Sequence, residues 1–392
     1  MRILVAHEAS DSAGGVETYL SCVVVALRAR GHEIAALYHR GGSAREGWSA
    51  LAGWRAGIQE LGHRTAFDLV RAWRPDVCFS HNMGPLAVDR ALLREWPVVK
   101  MMHGYFGTCA SGLKTHGLPS MRACGRRCGP ACLALYVPRR CGSLTPRAML
   151  RGYRWARQQR AMFGAYAKLG VASAHMQREY ERHGVPREHI RVLPLFSTLG
   201  PAGADEAAPP GTAAVLFAGR MTKLKGGQVL VAAAARAGHR LGRAIPLIMA
   251  GDGPARVEWQ QLAVSLGVHV EFTGWLAPEA RADVFRRAAI LAVPSIWPEP
   301  FGLVGLEAAS LGIPAAAFDT GGVREWLEPD RSGLLVDPRQ GSEGLALAIA
   351  RLTADEMLRQ RLSAGARAVA ARMPLAAHVD RLESMLEEAR RV

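Results

Sequence analysis

Short apolar runs alternate with longer stretches of helical spacing from the start of the chain. Residues 2–7 form a mostly apolar run of strand length, 12–15 a turn of small residues, 16–31 a stretch with helical periodicity, and 33–38 a second apolar run. This succession predicts a β-α-β unit. Further strands are predicted over 76–80 and 97–102, with a helix over 68–74 before the first of them. Residues 105–145 break the rhythm. They are rich in Gly, Cys, Pro and Arg and read as a long functional loop. Helical texture returns over 146–166, followed by a strand over 169–173, a helix over 175–183 and a strand over 190–194.

Residues 200–211, nearly all Gly, Ala and Pro, have the composition of an interdomain linker. Beyond them the pattern repeats. Strands are predicted over 214–218, 246–250, 268–273, 290–293 and 314–318, and helices over 226–237, 255–266, 278–288 and 303–311. Regular alternation of this kind implies parallel sheets covered by helices. The expectation is an α/β protein of two Rossmann-like, doubly wound parallel-sheet domains, 1–199 and 212–372. The linker 200–211 joins them, and an amphipathic helix within 373–392 crosses back to the first domain. A chain of 392 residues is long enough for two such cores. Ligands of open parallel sheets bind beyond the carboxyl ends of the strands, so the turns there are where chemistry is sought.

Four segments of the second half fall at strand ends: Gly219-Arg-Met-Thr-Lys-Leu-Lys-Gly-Gly227, Gly251-Asp-Gly-Pro254, Glu299 to Glu307, and Gly321-Gly-Val-Arg-Glu325. In the third, two carboxylates flank a turn at Gly302 from which a helix begins. The amides of Gly302, Leu303 and Val304 are then free to meet phosphate oxygens, with the helix dipole behind them. Glu307, about one turn into the helix, is placed to accept hydrogen bonds from a vicinal diol such as ribose, and Glu299 to face a sugar. Arg220 and Lys225 supply the positive charge that a departing diphosphate requires. The chain contains no Asp-x-Asp pair to hold a divalent ion, so metal-independent chemistry is expected. Taken singly, each feature has a plainer reading: a solvated carboxylate, or a basic helix start facing water.

In this order and at these spacings, the four segments resemble glycosyltransferase family 4, the group 1 retaining enzymes. In the first half, Gly14-Gly-Val-Glu17 is similar to that family's Gly-Gly-x-Glu turn, and His103-Gly104 to its cleft histidine. The resemblance implies the GT-B fold, with two domains facing across a cleft, and a retaining transfer from a UDP- or GDP-sugar to a glycan or lipid-linked acceptor. It assigns Arg220 and Lys225 to the donor phosphates and His103 to the donor sugar. Gly14 and Gly15 become the point where the first turn approaches the donor or the acceptor. Retention without an evident nucleophile implies a front-face displacement, and no cofactor is implied beyond the nucleotide-sugar substrate. Two rival functions share the architecture: a nucleotide-sugar epimerase, and a non-catalytic basic scaffold.

Charge sharpens the picture of the first half. The formal net charge is +15; residues 1–200 hold 28 Lys/Arg against 13 Asp/Glu, and residues 201–392 hold 21 of each. No acidic residue occurs between Glu95 and Glu179, a stretch with fourteen basic side chains. Such a one-sign field attracts an anionic partner. A positive surface there suits an anionic membrane leaflet or a polyprenyl-diphosphate-linked acceptor, with ordinary solvated arginines as the plainer reading; Arg151, Arg154, Arg157 and Arg160, interleaved with Leu150, Tyr153, Trp155 and Met162, support interfacial contact, and no nucleic-acid recognition motif accompanies them. No apolar run reaches the roughly 20 residues that span a bilayer. A cytoplasmic location is therefore expected, peripheral at the inner face of the membrane. Five of the seven cysteines, Cys109, Cys124, Cys128, Cys132 and Cys141, fall in the 105–145 loop. A structural zinc site, a labile disulfide and plain reduced thiols are all compatible with that spacing.

Overall fold

In a computed structural model the described residues are 1–10, 14–41, 47–200 and 214–391. The predicted turn at 12–15 is described only from Gly14 onward, and the linker predicted over 200–211 lies, beyond Gly200, outside the described residues. The chain divides into two compact units, one of residues 1–114, 126–194 and 375–392, the other of residues 115–125 and 195–374.

The first unit runs β1 (Arg2–Ala9), α1 (Gly15–Ala29), β2 (Glu33–Arg40), β3 (Trp54–Gly57), α2 (Ile58–Leu61), α3 (His63–Trp73), β4 (Val77–Ser80), α4 (Leu86–Glu95) and β5 (Val98–Met102). A two-stranded antiparallel ribbon, β6 (Thr115–His116) and β7 (Arg122–Ala123), belongs to the second unit. The first unit resumes with α5 (Ala131–Tyr136), α6 (Pro146–Ala161), β8 (Lys168–Val171), α7 (Ala174–Arg182) and β9 (Ile190–Val192). Its seven strands are all parallel, in the order β3-β2-β1-β4-β5-β8-β9. Ile3, Leu4, Val5 and Ala6 are wholly buried because helices cover both faces of the sheet, which explains the continuous apolar run.

The second unit runs β10 (Val215–Ala218), α8 (Gly227–Leu241), β11 (Leu247–Ala250), α9 (Arg256–Ser265), β12 (Val270–Gly274), α10 (Pro278–Arg286), β13 (Ile290–Val293), α11 (Leu303–Ser310), β14 (Ala315–Phe318), β15 (Gly333–Val336), α12 (Gly341–Ala354) and α13 (Glu356–Ala371). Its six strands are also parallel, ordered β12-β11-β10-β13-β14-β15. The order reverses beside β10, and the ends of β10, β11, β13 and β14 carry the four sequence segments. Val215, Phe217, Leu230, Trp259, Leu345 and Ile349 are among the side chains of its core. The final helix, α14 (Leu375–Arg390), packs on α1, β4 and β5 of the first unit.

Three differences from the sequence reading have local causes. The helix predicted over 68–74 begins at His63, because Ala66, Phe67 and Val70 form its buried stripe. The helix predicted to reach 166 stops at Ala161, and Met162, Phe163 and Tyr166 turn into the core. The 105–145 loop is not featureless: it holds the β6–β7 ribbon and α5, and its residues 115–125 group with the second unit.

Candidate functional site

In the second unit the turn after β10 passes through Gly219 and Arg220 and one 3-10 turn, Lys223–Lys225, into α8. The Leu224 carbonyl accepts the amides of Ile296 at 2.9 Å and Trp297 at 3.1 Å, which ties this turn to the segment after β13. Gly226 has φ +74°, and a Cβ there would lie 2.0 Å from the Pro294 carbonyl oxygen, so only glycine allows the approach. The tie sets Lys225 Nζ 2.7 Å from Glu299 Oε1 and 5.0 Å from the centroid of the Trp297 ring. Glu299 is buried, Lys225 half-buried and Arg220 exposed.

The backbone of Glu299 is fixed from the other side. Its carbonyl accepts the Gly322 amide at 2.6 Å, and a Cβ on Gly321, at φ +60°, would come within 2.2 Å of that same oxygen. The Gly321–Glu325 segment therefore acts as a brace for Glu299. Trp326, buried, donates from Nε1 to the Phe301 carbonyl at 2.8 Å and lays its ring against Gly305. Gly302 leads into α11, and the amides of Leu303 and Val304 stand in its first turn, where no carbonyl of the helix precedes them.

Glu307 is buried, and both its oxygens are engaged: Oε1 accepts from Thr198 Oγ1 at 2.9 Å, Oε2 from Arg281 Nη2 at 2.5 Å. Burial pushes its pKa up, while the Arg281 charge and the Thr198 hydroxyl oppose that. Each carboxylate oxygen retains a second lone pair for another donor. Arg281 on α10 and Thr198 are partners that the sequence reading did not identify.

In the first unit the predicted residues stand at the ends of β1 and β5. His7, at 3.0 Å from Glu17 Oε1 through Nε2, ties the end of β1 to the first turn of α1. A Cβ on Gly14 would lie 2.5 Å from Glu17 Oε2, so the carboxylate folds over that glycine; Gly15 meets no such neighbour. His103 follows β5, with Nε2 2.8 Å from Nδ1 of the wholly buried His81 and the two rings stacked at 5.1 Å. Burial, and secondarily the His7 and Lys100 charges, push the His103 pKa down to about 3. His81 is likewise held well below its ordinary value, by burial and then by His103, His7 and Lys100. Both imidazoles are neutral at pH 7. Beneath them Lys100 and Asp89 form a buried pair at 2.6 Å, with Ser80 and Tyr166 hydrogen-bonded to it.

A cavity of about 390 Å³ opens over these groups, with Glu8, Glu17, Arg40, His81, Lys100 and Trp155 among its walls. Sequence reasoning placed Trp155 and Met162 on a membrane-facing surface. Instead Trp155 walls the cavity, with its Nε1 3.2 Å from the Gly84 carbonyl, and Met162 is buried.

All seven cysteines are free thiols. Cys128 and Cys132 share a hydrogen bond that pushes Cys128 up and holds Cys132 below the ordinary thiol range. Their loop is tied down by His183, which accepts the Cys128 amide at 2.9 Å, and by Arg160, which donates to the Cys128 carbonyl at 2.8 Å. Among the described residues no three or more His, Cys, Asp or Glu side chains are gathered so as to hold a metal ion, the five loop cysteines included.

A family model described as Glycosyl transferases group 1 matches residues 204–369, and one described as Glycosyltransferase Family 4 matches residues 13–196. Over 226 residues the chain is 40% identical to a D-inositol 3-phosphate glycosyltransferase of Xylanimonas cellulosilytica, an alignment covering 52% of each chain. Over 177 residues it is 33% identical to an alpha-D-kanosaminyltransferase of Streptomyces kanamyceticus, covering 44% of this chain and 45% of the relative. The chain spans about half the length of the curated relatives it matches. In three dimensions it is similar to Anabaena Alr3699/HepE in complex with UDP, with a TM-score of 0.70 over 99% of this chain and 100% of the other, at 19% identity.

Proposed function

Because the chain belongs to the family 4, group 1 glycosyltransferases and has their GT-B fold, we propose that it moves a hexose or N-acetylhexosamine, with retention, from a UDP- or GDP-sugar to a hydroxyl of a glycan or glycolipid. The observation that carries this reading is the Lys225–Glu299 pair, 2.7 Å apart and locked between two glycine-dependent backbone contacts beside the start of α11. Lys225, Arg220 and the amides of Gly302, Leu303 and Val304 would receive the diphosphate, and Glu307 the ribose. A relative fold solved with UDP supports a nucleotide donor. Glu299 would then face the sugar, with Lys225 holding its carboxylate in place.

In the transfer the acceptor oxygen forms a bond to the anomeric carbon as the bond from that carbon to the phosphate oxygen breaks on the same face. The acceptor proton passes to the departing phosphate. Charge accumulates on the diphosphate as it leaves, and fixed cations and oriented amides stabilise it without reorganising. The reading includes no divalent ion, resting on the missing Asp-x-Asp pair and the two cations at the end of β10. Exposed arginines on α6 suit docking at an anionic membrane surface, and no helix is long and apolar enough to cross a membrane.

The test is nucleotide release by the purified chain with a panel of UDP-, GDP- and ADP-sugars, with and without EDTA. Turnover is expected to survive EDTA and to fall at least tenfold in Glu299→Ala and in Lys225→Ala, a loss of about 1.4 kcal/mol or more in transition-state stabilisation. Turnover abolished by EDTA would overturn the metal-free reading. Epimerisation of a donor in the absence of any acceptor would favour the epimerase.

A further inference from the structure

The thiols of the 105–145 loop are nucleophiles that the proposed transfer leaves unused. Cys128 stands just before α5 and Cys132 in its first turn, where the Cys132 amide donates to the Gly129 carbonyl at 2.9 Å. This turn folds the Cys132 side chain back towards Cys128. Cys132 Sγ lies 3.9 Å from the Arg127 carbonyl oxygen, on the peptide that joins Arg127 to Cys128, and the two thiols share a hydrogen bond. The pair differs in access. Cys128 is buried, with its amide held by His183 and its carbonyl by Arg160, whereas Cys132 is half-buried and its contact with Arg127 is exposed. One reachable thiol with a second fixed behind it is the arrangement that thiol–disulfide exchange requires.

Charge narrows the reagent. Arg126 and Arg127 are exposed next to Cys128, Lys114 Nζ lies 2.6 Å from the Arg126 carbonyl oxygen, and Arg160 Nη1 lies 2.8 Å from that of Cys128. Glu179, the acid beside His183, is buried and already paired with Lys114 and Arg182, and the sequence between Glu95 and Glu179 holds no other acid. The field at Cys132 is therefore positive; it draws in an anionic reagent and favours a thiolate. Outside the loop, Cys78 is wholly buried and burial pushes the Cys22 thiol up, so neither competes.

We propose that Cys132 and Cys128 form a redox modification site that takes an anionic low-molecular-weight disulfide of the glutathione type, with Cys132 as the attacking thiol and Cys128 as the resolving one. The hydrogen bond from Cys128, and then the Arg126 and Lys114 charges, hold Cys132 below the ordinary thiol range, which makes it the attacker. Its thiolate forms a bond to one sulfur of glutathione disulfide while the reagent's own S–S bond breaks, and the electron pair leaves on the second glutathione. Cys128 then loses its proton and attacks Cys132 Sγ, closing the Cys128–Cys132 disulfide and expelling the first glutathione. Two protein thiols are oxidised to one disulfide, one glutathione disulfide is reduced to two glutathiones, and the two thiol protons end on them. The site stands whether or not the chain transfers a sugar.

The test is exposure of the reduced, desalted full chain to oxidised glutathione, followed by alkylation and peptide mapping by mass spectrometry. The parent is expected to form the Cys128–Cys132 disulfide, Cys128→Ser to stop at a glutathione adduct on Cys132, and Cys132→Ser to form neither. A second measurement needs no variant. With each rate taken relative to that of 2-mercaptoethanol, oxidised glutathione should react with the parent at least tenfold faster than cystamine, a cationic disulfide, and added salt should narrow the gap. If Cys128→Ser does not fold, the parent's peptide map and this ratio decide. Modification mapping chiefly to other cysteines, cystamine reacting as fast as glutathione disulfide, or no reaction with glutathione disulfide overturns the proposal.

Discussion

The two candidate regions hold their polar groups in place by opposite means. At the strand ends of the second unit, carboxylates are paired with cations, Glu299 with Lys225 and Glu307 with Arg281, and glycines let backbone and ring press against the segment that carries them. In the first unit, imidazoles are stacked and buried until they are neutral: His81 and His103 lie beside a cavity with carboxylates on its wall. The first arrangement depends on space and the second on protonation. Overpacking should therefore damage one, and mild acid the other.

The largest effect is expected from filling the space beside Trp326. A Cβ on Gly305 would lie 2.2 Å from the Trp326 ring, which is fully enclosed and cannot retreat without giving up its bond to the Phe301 carbonyl. Gly305→Val should cost about 3 kcal/mol, the upper part of the range for overpacked cores. In a unit of this size that is a fall of roughly 6–12 °C in melting temperature. A variant melting within a degree of the parent would mean that the ring is not wedged against α11 and that Glu299 is held by other means.

The same contrast decided what could be read in advance. Glu299, Gly302 and Glu307 lie within nine consecutive residues, so spacing alone places them around one helix start. The partners of Glu307 come from 26 residues before it in Arg281 and from 109 before it in Thr198, and no periodicity connects them. His7 and His81 were legible in principle, because each stands at a strand end as His103 does; the rule applied to the second half also holds in the first. Trp155 was assigned to the wrong surface because the stretch was treated as a mixture. At 100° per residue, Trp155 stands only about 40° round from Arg151 and about 100° from Arg154, at the edge of the arginine face, so spacing alone did not separate it from that face. Short elements such as β3 and α4 escaped because four to ten residues with a few buried positions carry little pattern.

Acid should distinguish the units next. The histidines with depressed pKa values, His81, His103, His175, His183 and His378, all belong to the first unit. Unfolded, an imidazole takes up its proton near pH 6.5; folded, these do so only at lower pH. Between the two values the unfolded chain binds more protons, so stability falls as pH drops below about 6.5. His81 is wholly buried and contributes up to about 1.4 kcal/mol for each pH unit in that window. Urea unfolding of the parent and of His81→Phe, from pH 7 to pH 5, should show the slope reduced by close to one proton. An unchanged slope would mean that His81 is already protonated in the folded protein despite its burial beside His103.

The smallest single effect concerns the charge excess, which also belongs to one side of the comparison. Along α6, Arg147, Leu150, Arg151, Arg154 and Arg157 are exposed, while Ala156 and Gln159 are buried. Trp155 is taken up by the cavity, so the apolar part of this face is reduced to Leu150, and attraction to a membrane must be chiefly electrostatic. Each arginine near an anionic leaflet then contributes about a fivefold change in partitioning, and the attraction weakens as salt shortens the screening length. Cosedimentation with phosphatidylglycerol vesicles should exceed that with phosphatidylcholine vesicles, decline with added salt, and drop about fivefold in Arg154→Gln. Residues 201–392, with 21 charges of each sign, offer no comparable bias. Equal binding to both vesicles, or binding indifferent to salt, would show that the basic stretch of the first unit is an ordinary solvated surface and that its partner is not a membrane.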